Sequence, residues 1–600
     1  MSFIATSAQI LFSDYSDPDV CKGRDGGYWL TASSFQCSPG LPILYSENLS
    51  DWQLVNYAID NVPIPEGESR KCTFEGGRSQ AGDGVPHGCG VWAPSIRLHD
   101  GTYYIYWGDP DYGVWMVRTR DPRGRWEAPV LVLPARGAID PSPLWDDDGR
   151  MFLVNGWAAS RCGFNSVLTV RELSPDGTHA IGKPVIVYDG QVEGNHTVEG
   201  PKFYKHDGQY YILAPAGGVA KGWQITLRSG NVYGPYESRK VFDHDGIHQG
   251  GLVQTQTGEW WTILFKDAGG IGRVPYLEPV EWKDGWPIVG NGGREVSQGS
   301  KAYRKPNVGN TYPRTYLPSS DSFTSLTLGK QWGWNHNHVD DKWSLLERPG
   351  HLRMHTVNVT NNLRFARNSL TQRIIGLNAE GAGTTKNVNS YGTVKMDVSG
   401  MMEGDYAGLS VYQDPYQLIG ITVRNGEKRI VYMTARSSGD WNPTEKLGPV
   451  LKSDTIYLRA IVNFSTDKSN LYYSYDNTKW TKYGDEMSMR FDLSIFVGNR
   501  FYIFNYATKQ TGGYVDVDWF STEPTFSEDT FYGYDVMHAY PVEDVTAVEL
   551  HSDKENGTLY VLPGSTAKGK LTCTLQNGKK IDVSSACTYE TDRPGMLKAQ

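Results

Sequence analysis

The first 265 residues repeat one short pattern of polar and apolar positions five times. A turn glycine is followed by one variable residue and then by two large, mostly aromatic residues: Gly26-x-Tyr28-Trp29, Gly101-x-Tyr103-Tyr104, Gly149-x-Met151-Phe152, Gly208-x-Tyr210-Tyr211 and Gly258-x-Trp260-Trp261. Each copy predicts a glycine turn that opens an apolar strand. The glycines lie 75, 48, 59 and 50 residues apart, in the range of four-stranded propeller blades, which run roughly 40–50 residues plus loops. The spacing predicts a five-bladed β-propeller over residues 1–300. The first gap is the longest, so an inserted surface loop of roughly 25 residues is expected near Ser50–Gly88.

The pattern then changes. Ser297–Ser320 is polar, contains proline and reads as a linker. Beyond it, strands alternate without the glycine–aromatic signature. Tyr416–Arg424, Asn425-Gly426 and Arg429–Thr434 spell a hairpin with a type I′ turn. Tyr391–Val398 and Ile456–Phe464 also alternate. Residues 319–522 therefore predict a β-sandwich of about 200 residues. An acidic, aromatic connector follows Thr522. Residues 541–600 hold short alternating strands and a second Asn-Gly turn at Asn577-Gly578, which predicts a small immunoglobulin-like β segment or part of one. Long helical periodicity is absent, and the expected fold class is all-β.

Composition narrows the function classes. Six hundred residues exceed what one core supports, as three units require. A net charge of −9 disfavours a nucleic-acid surface, which needs a basic patch. With 19 Trp and 36 Tyr in a mildly acidic chain, a neutral partner such as a sugar is better matched. No run of about 18 apolar residues predicts a membrane span. Met1–Phe12 lacks a basic stretch followed by an apolar one. The expectation is a cytoplasmic protein, or a secreted or periplasmic one if a leader has been removed. Seven cysteines show no zinc spacing. The odd count leaves at least one thiol free, while Cys72–Cys89 and Cys573–Cys587 are the pairs that spacing allows. The oligomeric state is not set by any of these features.

The residue nine positions before each motif glycine carries the chemistry. These residues are Asp17, Trp92, Asp140, Glu199 and Gln249. Equivalent positions of a radial repeat lie in a ring about one axis, so Asp17, Asp140 and Glu199 are expected to meet there. Glycoside cleavage needs one carboxylic acid to protonate the leaving oxygen and one carboxylate on the anomeric side. A group with negative neighbours and little water keeps its proton to higher pH. Glutamate also has the longer stem. This assigns Glu199 as general acid, Asp17 as general base and Asp140 as the residue that orients the acid and keeps its proton affinity high. No metal is needed for such catalysis.

The chain resembles glycoside hydrolase family 43, five-bladed propeller enzymes acting on arabinose- and xylose-containing polysaccharides. The resemblance rests on Ser13–Val20 (Ser-Asp-Tyr-Ser-Asp-Pro-Asp-Val), Ser33–Phe35 with Pro39–Pro42, Val91–Ser95, Ile139–Ser142, Val198–Pro201, His248–Gly250 and Gly272-Arg273. It implies the same three roles for Asp17, Asp140 and Glu199, and inversion at the anomeric carbon. Inversion requires the base and acid carboxyls to stand about 6.5–9.5 Å apart. By the same resemblance Arg273 binds sugar hydroxyls, Phe35 and Trp92 wall the terminal-sugar pocket, and Trp157 and Arg161 form the next subsite. His248 matches a substrate-pocket histidine that in some members approaches a central cation through waters. The sandwich resembles the accessory domain behind such propellers, where Asp321 and Asp518 match by position two residues that hold a structural calcium.

The expected partner is an arabinose- or xylose-containing oligo- or polysaccharide. Ser13–Val20 and Pro215–Gly218 look most like the branch rich in exo-acting α-L-arabinofuranosidases, with β-xylosidase activity nearby. Two rivals remain: a non-catalytic sugar-binding propeller, and a fructoside-cleaving propeller carrying Arg-Asp-Pro. Arg120–Pro122 spells that motif, but Asp121 is off the repeat register.

Overall fold

The computed structural model describes residues 5–6, 10–68, 87–293, 303–313, 315–376, 389–435 and 442–523, and the backbone of the strands at 545–551, 570–575 and 580–582. The repeat motif sets the architecture. All five motif glycines have positive φ, between 71° and 91°, a conformation glycine adopts without steric cost. Each one turns the first strand of a blade into the second. The first strands are Asp19–Lys22, Trp92–His99, Ala138–Trp145, Lys202–His206 and His248–Gln254. Every blade is a four-stranded antiparallel sheet built from consecutive strands, so the ring closes without a shared strand. Closure comes from packing: Val20, Tyr28 and Leu30 of the first blade share a core with Leu252, Val253, Ile263 and Leu264 of the fifth.

The insertion starts later than the spacing suggested. Gln53–Ile59 completes the first blade, so the loop begins after Ile59; residues 69–86 lie outside the described set. The stretch read as a linker also carries structure, since Tyr303–Arg304 pairs with Ala5–Thr6. Arg120–Pro122 lies between the third and fourth strands of the second blade, Gly113–Thr119 and Val130–Pro134. Cys89 is disulfide-bonded, whereas Cys21, Cys37 and Cys162 are free thiols. Cys72 and the side chains of Cys573 and Cys587 lie outside the described residues.

The second unit is a β-sandwich. A seven-stranded sheet faces a second antiparallel sheet, and Trp332, Leu370, Val394, Leu458, Ile503 and Val517 lie in the core they share. The expected hairpin is present as Tyr416–Arg424 and Glu427–Ala435, with Asn425 and Gly426 both at positive φ as a type I′ turn requires. The strand backbones at 545–551, 570–575 and 580–582 form a separate three-stranded sheet.

Sandwich and propeller meet along loops. The loop after the second strand of the first blade bridges the sandwich at Ser38–Trp334, and Gly376 N donates to Phe12 O at 2.7 Å.

Candidate active site

The repeat register carries a backbone signature. Asp17, Asp140 and Gln249 all sit in the left-handed region, at φ 53°, 54° and 55°. The first strands are irregular there: pairing slips between Ile139 and Ser142, between His248 and Gly251, and between Trp92 and Ser95. A bulge re-aims one side chain, and strained non-glycine residues gather at functional sites. In these three blades the bulge interrupts the strand alternation at the axial end.

Asp17 and Asp140 are buried, and Glu199 beside them is half-buried. Asp17 is 6% exposed and Asp140 3%. Ser33 Oγ donates to Asp17 Oδ2 at 2.6 Å, and Arg273 Nη1 stands 3.5 Å from Asp17 Oδ1. Gly200 N donates to Asp140 Oδ2 at 2.8 Å, which ties Asp140 to the residue after Glu199. Burial pushes the Glu199 carboxyl well above the ordinary range, and the neighbouring charges of Asp140 and then Asp17 push it further. Asp140 is raised as well, first by burial and then by Asp17. Of the two, Glu199 is raised higher, so as pH rises Asp140 ionises first and its charge then bears on Glu199.

Arg273 is 3% exposed and makes several contacts. Nε donates to Asp267 Oδ1 at 3.0 Å, while Nη2 has no partner among the described residues. Its guanidinium lies over the rings of Phe265, Phe491 and Phe496, at 5.1, 5.1 and 5.7 Å from their centroids. Two of those rings belong to the sandwich, and Phe496 is central among them. It stacks on Phe35 at 5.4 Å and tilts against Trp92 at 5.2 Å, with its own φ at +63°. Phe35 and Trp92 are brought side by side because Phe35 forms an isolated bridge with Val91. The aromatic wall is thus assembled from two blades and the second domain.

Arg161 flanks this wall, and Trp157 stands at the end of the second strand of the third blade, Met151–Trp157. Trp157 Nε1 donates to Thr169 Oγ1 at 3.1 Å, and its ring meets Phe164 at 5.2 Å. Arg161 pairs with Asp111 at 2.8 Å and lies over the Trp92 ring at 5.7 Å. His248 is 2% exposed. Its Nδ1 donates to Gly246 O at 2.7 Å, and burial lowers its pKa to about 4, so the ring is neutral in ordinary buffers.

The calcium expectation meets an unsuitable donor set. Asp321 Oδ2 accepts from Trp332 Nε1 at 2.8 Å and Oδ1 from Phe323 N at 2.8 Å, and burial raises its pKa to about 6. Asp518 faces Lys395 Nζ at 2.9 Å. A cation joining these two acids would meet the Lys395 ammonium. Among the described residues no three His, Cys, Asp or Glu gather as metal ligands.

Beneath the acids lies a second polar tier that the repeat pattern did not reveal. Asp19 pairs with Arg97 at 2.5 Å, Arg97 Nη2 donates to Ser142 Oγ at 3.1 Å, and Lys202 Nζ donates to Ser95 Oγ at 2.9 Å. Four blades are thereby tied around the axis. Asp19 was legible in the Asp-Pro-Asp segment. Asp14, Asp267, Phe491 and Phe496 carried no sequence signal for a role at this site.

A five-bladed propeller that collects three acids and an arginine at one end of its axis, beneath an aromatic wall, has the makings of a carbohydrate-cleaving enzyme. The family model for glycosyl hydrolases family 43 matches residues 8–287, and the model for the beta xylosidase C-terminal concanavalin A-like domain matches residues 320–523. A beta-xylosidase of Formosa agariphila is 31% identical over 572 residues, which is 85% of this chain and 89% of that protein. A non-reducing end alpha-L-arabinofuranosidase of Bacteroides ovatus is 31% identical over 440 residues, 69% of this chain and 75% of that one. A solved structure described as a bifunctional GH43-CE of Bacteroides eggerthii superposes with a TM-score of 0.72 at 31% identity, covering 92% of this chain and 68% of that chain. The chain belongs to glycoside hydrolase family 43 and is a glycoside hydrolase.

Proposed function

We propose that the enzyme is exo-acting and releases terminal pentoses from hemicellulose-derived glycans by single displacement with inversion. α-L-Arabinofuranose is its main leaving sugar, with β-D-xylose accepted in the same pocket. Asp17 takes a proton from water as that water attacks the anomeric carbon. Glu199 gives its proton to the departing glycosidic oxygen. Asp140 keeps that proton on Glu199 by its charge and, through Gly200 N, holds the Glu199 backbone in place. Arg273 presents a fork of donors to the sugar hydroxyls.

The observation that carries this division of labour is the contrast between the surroundings of two neighbouring carboxyls. Burial and the charges of Asp140 and Asp17 favour the protonated Glu199, and the Arg273 charge opposes them more weakly. Asp17 meets a guanidinium and a hydroxyl donor, which suit an ionised base. The wall of Phe35, Trp92 and Phe496 supports exo action, because rings converging from two domains suit one terminal unit better than a through-running chain. β-Xylosidase as the main activity is the second reading, favoured by the name of the Formosa agariphila relative.

The test is initial-rate release of nitrophenol from the α-L-arabinofuranoside and the β-D-xyloside by wild type, and of pentose from oligosaccharides by wild type and Glu199→Gln. Wild type cleaves both, the arabinofuranoside faster. Glu199→Gln still binds sugar but loses turnover on oligosaccharides by about 100- to 10,000-fold. A faster xyloside rate selects the second reading. A wild type that binds sugar yet cleaves neither substrate makes the propeller a sugar-binding module.

A further inference from the structure

We infer that Asp14 is a positioning residue that latches the sandwich onto the propeller mouth and so holds the Phe496 wall around the terminal sugar. Asp14 lies three residues before Asp17 and is 5% exposed. A buried carboxylate is costly unless its oxygens are satisfied. Its partners here come from both domains. Oδ1 accepts from Arg273 N at 3.0 Å, in the propeller. Oδ2 accepts from Gly498 N at 2.9 Å, in the sandwich and two residues after Phe496. Ser16 Oγ adds a third donor at 3.3 Å.

The backbone is shaped to allow this junction. A Cβ on Gly272, which has φ +99°, would lie 2.7 Å from Asp14 Oδ1 and 2.8 Å from Gly498 Cα; one on Gly498 would lie 1.9 Å from Ile271 O. Only glycines let the two chains approach so closely. Asn499 adds a second stitch, with N and Nδ2 donating to Gly270 O at 2.9 and 2.7 Å. Beyond the stitches the loop carries Phe491 and Phe496 over Arg273 and against Phe35 and Trp92. A carboxylate merely capping a turn would need no partner from the other domain. Asp14 instead joins the strand that bears the sugar-binding arginine to the loop that bears the wall.

This inference rests on the reading of the pocket as a terminal-sugar site. The experiment is a double-mutant cycle with Asp14→Asn and Phe496→Ala, measuring kcat and KM on the nitrophenyl pentoside that wild type cleaves best. Asparagine keeps one acceptor but turns an N–H toward the other donor. Asp14→Asn is expected to raise KM about tenfold with kcat changed less than about threefold, because binding contacts rather than proton transfer are lost. In the Phe496→Ala background the same change should cost less than about twofold, because a loop without its ring has nothing left to position. An equal loss in both backgrounds, or a loss confined to kcat, overturns the latch. Should Asp14→Asn fail to fold, Asn499→Ala tests the same loop from the sandwich side and should show the same coupled rise in KM; an uncoupled rise counts against the inference. Failure of the functional reading looks different, since wild type itself would then lack pentosidase activity.

Discussion

Replacing Asp140 with asparagine removes a charge while leaving an oxygen for Gly200 N, which now donates to Asp140 Oδ2 at 2.8 Å. The acid it influences is near. A Cβ built on Gly156 would lie 3.9 Å from Asp140 Oδ2 and 3.8 Å from Glu199 Cβ, so one small gap separates the two side chains. Two unit charges about 7 Å apart at an effective dielectric of about 20 interact by about 2 kcal/mol, which corresponds to about 1.5 pH units. After burial, Asp140 is the largest influence raising Glu199. Asp140 is itself raised, so the pair titrates together. On the alkaline limb, however, Asp140 is ionised and its charge is fully felt. The sign follows: Glu199 must be protonated to act, activity falls as pH rises through its pKa, and removing the negative neighbour lowers that pKa. The alkaline limb of kcat/KM in Asp140→Asn should therefore move about 1–1.5 units toward acid. The assay is initial rate against pH at constant ionic strength on a pentose oligosaccharide, whose poor leaving group needs the acid. A limb that stays put, or moves toward alkali, refutes the placement of Asp140 as electrostatic neighbour of the acid.

Three further outcomes are expected. Proton NMR of the first product should show the anomeric configuration opposite to that of the substrate; retention would contradict a water attacking from Asp17. Arg273→Ala should lower kcat/KM by about 10- to 100-fold, the range for hydrogen bonds to a charged group; unchanged kinetics would remove Arg273 from the sugar site. Trp332→Ala, at 2% exposure in the sandwich core, should cost about 3–5 kcal/mol of stability in denaturant unfolding; a loss below about 1 kcal/mol would argue against a tightly packed core there.

The propeller was legible because each blade announces itself locally. A glycine that must take positive φ precedes two strand residues, and the distance back to the axis is constant, so Asp17, Asp140 and Glu199 could be placed on one ring by counting. The left-handed backbone at Asp17 and Asp140 left no such mark, since aspartate is also an ordinary strand-end residue. The insertion was placed too early because Gln53–Ile59 lacks the glycine–aromatic signature that marks inner strands. The pairing of Asp321 with Asp518 around calcium finds no support among the described residues, and position along the chain said nothing of Lys395 and Trp332, which contact their oxygens.

Phe496 marks the deepest limit of the sequence reading. It reaches Phe35 and Trp92 from more than 400 residues further along the chain, within a domain whose own alternation predicts only a sandwich. No periodicity in one domain can report which loop of the next will cover its mouth. The structure makes that dependence physical. The Arg273 guanidinium is wedged between the Phe265 ring of its own domain and Phe491 and Phe496 of the other, so the propeller alone leaves one side of this arginine open to water. Removing the sandwich would thus expose the charge that faces Asp17 and raise the local dielectric around the acids, weakening each electrostatic contrast on which the division into acid and base depends.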